Sequence, residues 1–119
     1  MFTIAHWCVL VAGLLPYVAT VTAKGGARFD NRQPRDWPAP PNGWRARAHA
    51  AQLNAFEAFP LFAVAVLVAH QVGAPQPRVD ALALAFVAAR VAYLVAYVAD
   101  LAWLRSLVWT AGIGCAVAI

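Results

Sequence analysis

The sequence predicts an all-α integral membrane protein, a four-helix bundle, and three observations support this fold class. Of the 119 residues, 63% are hydrophobic and only 12% are charged, which is too apolar for an ordinary soluble domain. The apolar residues form four long runs, and the first two are separated by a segment rich in Pro, Gly and charge. Because helices satisfy their own backbone hydrogen bonds in lipid, runs of this length predict spanning helices in one domain, residues 1–119.

The first span is expected over residues 2–23, a run without formal charge that is long enough to cross about 30 Å of hydrocarbon. Residues 24–44 change abruptly to Gly, Pro, Asn and charge, so we predict a loop, with a lid over a membrane-surface site as the alternative. Six of the nine basic residues lie in or beside this loop. The positive-inside rule therefore predicts a cytoplasmic loop and both termini on the outer side.

The remaining spans are expected over residues 45–72, 78–99 and 101–119. Between the second and third spans, residues 73–77 contain two prolines and one glycine, which predicts a tight antiparallel hairpin. A very short link that contains Asp100 joins the third span to the fourth. Short connections of this kind are typical of neighbouring antiparallel helices.

Charge and cysteine content argue against several functional classes. The net charge of +4 comes from the clustered basic loop, so it reports membrane topology and not nucleic-acid binding. Cys8 and Cys115 lie in apolar runs without metal-ligand spacing, so we expect packed or lipid-facing thiols and no metal site, with a disulfide as the alternative. The sequence contains no P-loop, CxxC cluster or Ser-His-Asp arrangement.

An asparagine and a glutamate lie inside the second apolar run, where polar side chains are costly. Asn54 and Glu57 are three residues apart and share one helical face, which also carries Arg47. A rise of about 1.5 Å per residue places Glu57 at a depth similar to that of Arg90 in the third run. We therefore expect these two charges to face one another or to share a ligand, with a purely structural ion pair as the alternative.

The third and fourth runs add polar residues to the same half of the membrane. Tyr93 and Tyr97 follow Arg90 at helical spacing and line a face that leads toward the cytoplasm, where Arg105 lies. Interfacial tyrosines and a snorkelling arginine are the alternative interpretations. Since nearly all intramembrane polar residues except His70 lie in this half, we predict a wet cavity that opens to the cytoplasm.

The second run resembles the second-helix signature of the MAPEG family, the membrane-associated proteins in eicosanoid and glutathione metabolism, which reads Glu-Arg-Val-x-Arg-Ala-x-x-Asn-x-x-Glu. Among the departures from it, Ala46 replaces the leading acid, and Ala50 replaces the second arginine, which helps to hold the tripeptide in glutathione-using members. The matching residues are Arg47, Ala51, Asn54 and Glu57, followed by a similar continuation, Phe59-Pro60-Leu61-Phe62.

Residues 88–109 resemble the family's third helix and the start of its fourth, where an arginine, two tyrosines and a later arginine recur. The resemblance, to a bacterial-type member, implies a homotrimer in the inner membrane with its site between subunits and with glutathione as co-substrate. It gives Arg105 the role of stabilising the glutathione thiolate. The residues that it implies for binding the tripeptide are Arg47, Asn54, Glu57, Arg90, Tyr93 and Tyr97.

The leading hypothesis is a glutathione-binding membrane enzyme of transferase or peroxidase type that acts on a lipophilic electrophile. A guanidinium beside a thiol favours the thiolate, so Arg105 would activate the bound cysteine. The second hypothesis is a noncatalytic membrane scaffold or lipid-binding module that kept the fold without the arginine that Ala50 replaces. The third is a small proton-coupled exporter with Glu57 as carrier. Against it, four-helix exporters carry their essential glutamate in the first helix, and this first span has none.

Overall fold

The computed structural model describes residues 2–25, 32 and 42–119. These residues contain no β-strand, and α1, α2 and α3 are long and apolar enough to cross a membrane, whereas α4 is a shorter apolar helix. The predicted all-α integral membrane four-helix bundle is therefore confirmed. Most of the predicted loop or lid, residues 24–44, lies outside the described residues. The helices are α1 (Ile4–Lys24), α2 (Trp44–Gln71), α3 (Gln76–Val98) and α4 (Ala102–Ala118).

Successive helices run antiparallel, so the bundle has two ends that differ in chemistry. The basic end carries Lys24, Arg45 and Arg105. The opposite end, here called the terminal end, carries Thr3 and His70. Each end therefore collects residues from helices that are far apart in sequence.

Two side chains stabilise the first turn of α1, one local and one distant. Thr3 is the N-cap residue, and its hydroxyl accepts a hydrogen bond from the His6 backbone N–H at 3.3 Å. Asp80 of α3 accepts a hydrogen bond from the Ala5 backbone N–H through Oδ1 at 2.9 Å. A carboxylate at a helix N-terminus also interacts favourably with the helix dipole. Asp80 therefore joins α1 to α3 at the terminal end.

Residues with a left-handed backbone follow α2 and α3. Gly73 after α2 has φ of +73°, and Asp100 after α3 has φ of +63°. Glycine adopts positive φ without steric cost, whereas the Cβ of Asp100 crowds its own backbone. Both turns also close with a helix-capping hydrogen bond. In these bonds the Ala74 N–H donates to Ala69 O at 2.9 Å, and the Leu101 N–H donates to Ala96 O at 2.8 Å.

The core consists of small residues around two stacked aromatic rings. Phe62 of α2 and Phe86 of α3 are fully buried, and their ring centroids lie 4.0 Å apart at an interplanar angle of 7°. Large apolar side chains such as Trp7 and Trp103 are exposed instead, as expected for a surface in contact with lipid. Small residues allow membrane helices to approach closely. The alanines of this core include Ala5, Ala12, Ala58 and Ala83.

Candidate functional site

A groove with polar walls lies between α2, α3 and α4, in the half of the bundle near the basic end. Its volume is about 490 Å³, which is within the usual range for small-molecule sites. Its walls present a guanidinium, an amide, two phenols, two aliphatic hydroxyls and an indole. We call it the polar groove, and it is lined by Asn54, Tyr93, Tyr97, Arg105, Ser106, Trp109 and Thr110.

Arg90 lies directly behind the wall of the polar groove. It is only 4% exposed, and its Nη2 donates to Asn54 Oδ1 at 2.8 Å. Its guanidinium carbon is 4.4 Å from the centroid of the Tyr93 ring, a cation–π distance. The other terminal nitrogen, Nη1, is buried without a hydrogen-bond partner among the described residues. Arg90 therefore orients two groove residues and keeps an unused donor.

The predicted pairing of Arg90 with Glu57 is not formed within this chain. Arg90 binds Asn54 instead, and Glu57 is exposed on the surface of the chain. The physical reason is rotation: three residues of an α-helix turn by about 300°, so Glu57 lies about 60° around α2 from Asn54. The predicted depth of Arg90 relative to α2 is therefore correct to one helical turn, but its partner on that turn is Asn54 and not Glu57. A ligand shared by Glu57 and Arg90 stays a prediction.

The two tyrosines and Arg105 form one connected wall of the groove. The Tyr93 and Tyr97 rings meet edge to face, with centroids 5.6 Å apart at an interplanar angle of 83°. The guanidinium carbon of Arg105 is 4.5 Å from the centroid of the Tyr97 ring. Stacking on the aromatic face holds the cation over the groove and leaves its N–H groups available to a ligand.

Arg47 is not among the residues that line the polar groove. Its Nε donates to the carbonyl of Val98 at 3.1 Å, at the C-terminus of α3. Basic side chains at a helix C-terminus bind its free carbonyls and interact favourably with the dipole. Within one subunit, therefore, four predicted site residues line the groove, Arg90 lies behind it, and Arg47 and Glu57 lie outside it.

Three groove residues were not predicted, and all belong to α4. Trp109 follows Arg105 by four residues and Thr110 follows Ser106 by four residues, so these side chains form two adjacent rows along α4. The sequence therefore contained the information needed to predict them, because a helix drawn through Arg105 places these side chains on the same side of α4. The Thr110 hydroxyl donates to the Ser106 carbonyl at 2.9 Å and remains an acceptor toward the groove.

Metal ligation does not account for this site in the part of the chain that the structure describes. No group of three or more His, Cys, Asp or Glu residues there is able to hold a metal ion. Cys8 is buried, Cys115 is half-buried, and both are free thiols. The chemistry of the groove therefore comes from a cation, hydroxyls and aromatic rings.

Comparison with known proteins gives one match. The model of the MAPEG family matches residues 4–119, nearly the whole chain. No curated protein and no solved structure matches the chain.

Proposed function

The chain belongs to the MAPEG family, as its second and third helices predicted, and from this premise we propose that it is a glutathione-binding membrane enzyme of transferase or peroxidase type. The observation that carries the proposal is the stack of Arg105 on Tyr97 in a polar groove within an apolar bundle. The groove offers a thiol peptide one cation and several hydrogen-bonding groups. The surrounding bilayer supplies the second substrate, a lipophilic electrophile.

Arg105 is the proposed catalytic residue. Its guanidinium lowers the pKa of the glutathione thiol, because a nearby positive charge favours the thiolate. The thiol proton leaves to water, and the thiolate sulfur then attacks the electrophile. In the transferase case the sulfur lone pair forms the new bond to carbon while a leaving group or π electrons depart from that carbon. Tyr97 holds the guanidinium in place through this step.

The other site residues bind and position the tripeptide in this proposal. Asn54 and Tyr93 line the groove, and Arg90 fixes both of them from behind. The unused Arg90 Nη1 is buried behind this wall, so a water molecule between it and the groove is the partner that we propose for it.

The proposed assembly is a homotrimer in a bacterial inner membrane, with the site between subunits. The exposed position of Glu57 supports this arrangement, since a carboxylate on a membrane-spanning helix is costly unless a neighbouring subunit or ligand covers it. In this assembly Glu57 and Arg47 complete the tripeptide site from the subunit boundary.

Glutathione binding to the purified protein in detergent, measured by calorimetry, tests the proposal. Wild type should bind glutathione saturably, and Tyr97→Ala should weaken binding by about tenfold, the equivalent of 1.4 kcal/mol. Arg78→Ala is the matched control, because Arg78 is an exposed arginine at the terminal end and should not affect binding. Absence of saturable binding to wild type would contradict the proposal.

A noncatalytic scaffold or lipid-binding module is the second candidate. The observation that favours it is Ala50, which replaces an arginine of the family signature with a side chain that carries no charge. If glutathione does not bind, this candidate becomes the better description. The exporter hypothesis gains no support, because Glu57 is not among the residues that line the polar groove.

A further inference from the structure

A second groove lies between α1 and α2, in the half of the bundle near the terminal end. Its volume is about 500 Å³, and it shares no residue with the polar groove. Seven of its eight lining residues are apolar or glycine, and the eighth is His6. We call it the apolar groove, and it is lined by Phe2, His6, Val9, Leu10, Gly13, Leu14, Phe59 and Leu67.

Gly13 keeps the apolar groove open at its middle. A Cβ at this position would lie 3.4 Å from two atoms of the Phe59 ring, so even a methyl group would touch the opposite wall. A larger side chain would occupy the space between α1 and α2. Glycine therefore determines the depth of the groove as well as the approach of Phe59 to α1.

His6 provides the polar group of the groove, and its hydrogen bonds define its tautomer. The Thr3 backbone N–H donates to His6 Nδ1 at 3.1 Å, and a backbone amide acts only as a donor. In the neutral ring Nδ1 is therefore the acceptor, and the proton is on Nε2. No described residue accepts a hydrogen bond from His6 Nε2. The Phe2 ring meets the His6 ring edge to face with centroids 5.6 Å apart, and the His70 ring centroid lies 4.1 Å from that of His6. These contacts restrict rotation of the His6 ring.

The length of the groove matches one lipid leaflet. From Ile4 to Leu14 the helix rises about 15 Å, and half of a hydrocarbon slab of about 30 Å is also about 15 Å. Leu10 and Leu14 are exposed, so the groove is open to the surrounding lipid. Its apolar length therefore suits one extended acyl chain, and His6, in the first turn of α1, lies at the end of the groove nearest the terminal end of the bundle.

We propose that the apolar groove binds one acyl chain of a membrane glycerophospholipid and that His6 Nε2 donates to an ester oxygen of the same lipid. A free fatty acid suits the groove less well, because its carboxylate needs a cation and neither lysine nor arginine lines this groove. A neutral imidazole donor is sufficient for an ester oxygen. This proposal is independent of glutathione binding.

The test is native mass spectrometry of the detergent-purified full chain titrated with palmitoyl-oleoyl phosphatidylcholine, with palmitate in a parallel titration. Wild type should bind one phosphatidylcholine per chain, at least about tenfold more tightly than palmitate. Gly13→Leu, which fills the groove, should weaken phosphatidylcholine binding by at least tenfold. Gly114→Leu is the matched control on α4, where nothing lies within 4 Å of an added Cβ, and should bind as wild type does.

Two further variants keep the test decisive. Leu67→Trp fills the same groove from an exposed position and replaces Gly13→Leu if that variant fails to fold. His6→Phe keeps an apolar ring but removes the donor, so it should weaken phosphatidylcholine binding about fivefold and leave palmitate binding unchanged, as one hydrogen bond of about 1 kcal/mol predicts. Equal phosphatidylcholine binding in wild type, Gly13→Leu and Leu67→Trp would overturn the proposal. Tighter binding of palmitate than of phosphatidylcholine would also overturn it. A lower oligomer mass in the groove variants without loss of lipid would do so as well, because it would assign the groove to a second copy of the chain.

Discussion

The polar side chains at the two ends of this bundle differ in where their binding partners lie. Near the basic end, the groove presents Arg105 to the outside, and Arg90 keeps an unpartnered Nη1. At the terminal end, side chains from three helices bind one another. A polar group in a membrane protein must find a partner, and the comparison shows two solutions: internal pairing for structure, and a partner supplied from outside for function.

The terminal-end network contains two linked parts. Asp80 Oδ1 accepts hydrogen bonds from the Ala5 backbone N–H at 2.9 Å and from Gln76 Nε2 at 2.6 Å. The Thr3 hydroxyl lies 3.0 Å from His70 Nε2, while His70 Nδ1 donates to the carbonyl of Val66 at 2.8 Å. Together these bonds join the start of α1 to the end of α2 and the start of α3. This network holds helices in place, whereas His6 beside it keeps Nε2 for the lipid proposed above.

The largest expected effect concerns the side of the membrane on which each end of the bundle lies. Labelling of an introduced cysteine from one side should be complete or absent. In a background in which Cys8 and Cys115 are replaced by alanine, Arg32→Cys should react with a membrane-impermeant thiol reagent only from the cytoplasmic side. Gln76→Cys, at the terminal end, should react only from the outer side. Labelling of Arg32→Cys from outside would reverse the proposed orientation.

The next largest effect concerns stability at the terminal end. Asp80→Ala removes a charged acceptor that binds α1 and Gln76, so it should lower the free energy of unfolding by about 1.5 to 3 kcal/mol. Asp80→Asn retains an acceptor oxygen and should cost about 1 kcal/mol. Thermal unfolding in detergent measures both changes, and glutathione binding should be unaffected. A loss of glutathione binding in folded Asp80→Ala would mean that the two ends are not independent.

Double-mutant cycles distinguish the two candidate partners of Arg90. Changes of Arg90 and Asn54 to alanine should couple by about 1.5 to 3 kcal/mol, because each single change leaves the other group without its hydrogen bond. Changes of Arg90 and Glu57 should be additive within about 0.5 kcal/mol. Unfolding free energies of the single and double variants provide the measurement. Strong coupling to Glu57 would show that the ion pair exists in the assembled protein.

The smallest effect concerns the left-handed residues after α2 and α3. Gly73→Ala at the terminal end should destabilise the fold by about 1 kcal/mol, because it adds a Cβ at φ of +73°. Asp100→Gly at the opposite end should stabilise it by up to about 1 kcal/mol, because it removes a Cβ at φ of +63°. Thermal unfolding of the two variants should therefore shift in opposite directions. Shifts of the same sign would contradict this account of the turns.

Hydrophobic length and periodicity predicted the fold class, because lipid allows few alternatives to a helical bundle. They also singled out four residues that line one groove of the structure, Asn54, Tyr93, Tyr97 and Arg105. Depth, however, does not determine which of two side chains on one helical turn meets a partner on another helix. That rotation depends on helix packing, and it is the reason that Asn54 and not Glu57 binds Arg90.

The polar network at the terminal end was harder to predict. His70 was the intramembrane polar residue predicted for this half, yet the Thr3 hydroxyl and the His6 ring contact it, and Asp80 binds the backbone of the first turn of α1. These residues come from three separate segments: Thr3, His6 and Asp80 lie within four residues of a helix start, and His70 lies near the end of α2. No periodic pattern connects them. Only the packing of three helices brings them into one cluster.

Titration of the glutathione thiolate in the bound complex tests the central claim most directly, because the claim is that Arg105 serves a ligand and not the fold. The ultraviolet absorbance of the thiolate is followed against pH in wild type, Arg105→Ala and Arg105→Lys. Arg105→Ala should raise the pKa of the bound thiol by about 1 to 3, with Arg105→Lys between the two because it keeps the charge but not the planar donor group. Glutathione affinity should stay within a few-fold of wild type. Identical titration curves would show that Arg105 is only a membrane-surface anchor and would contradict the account.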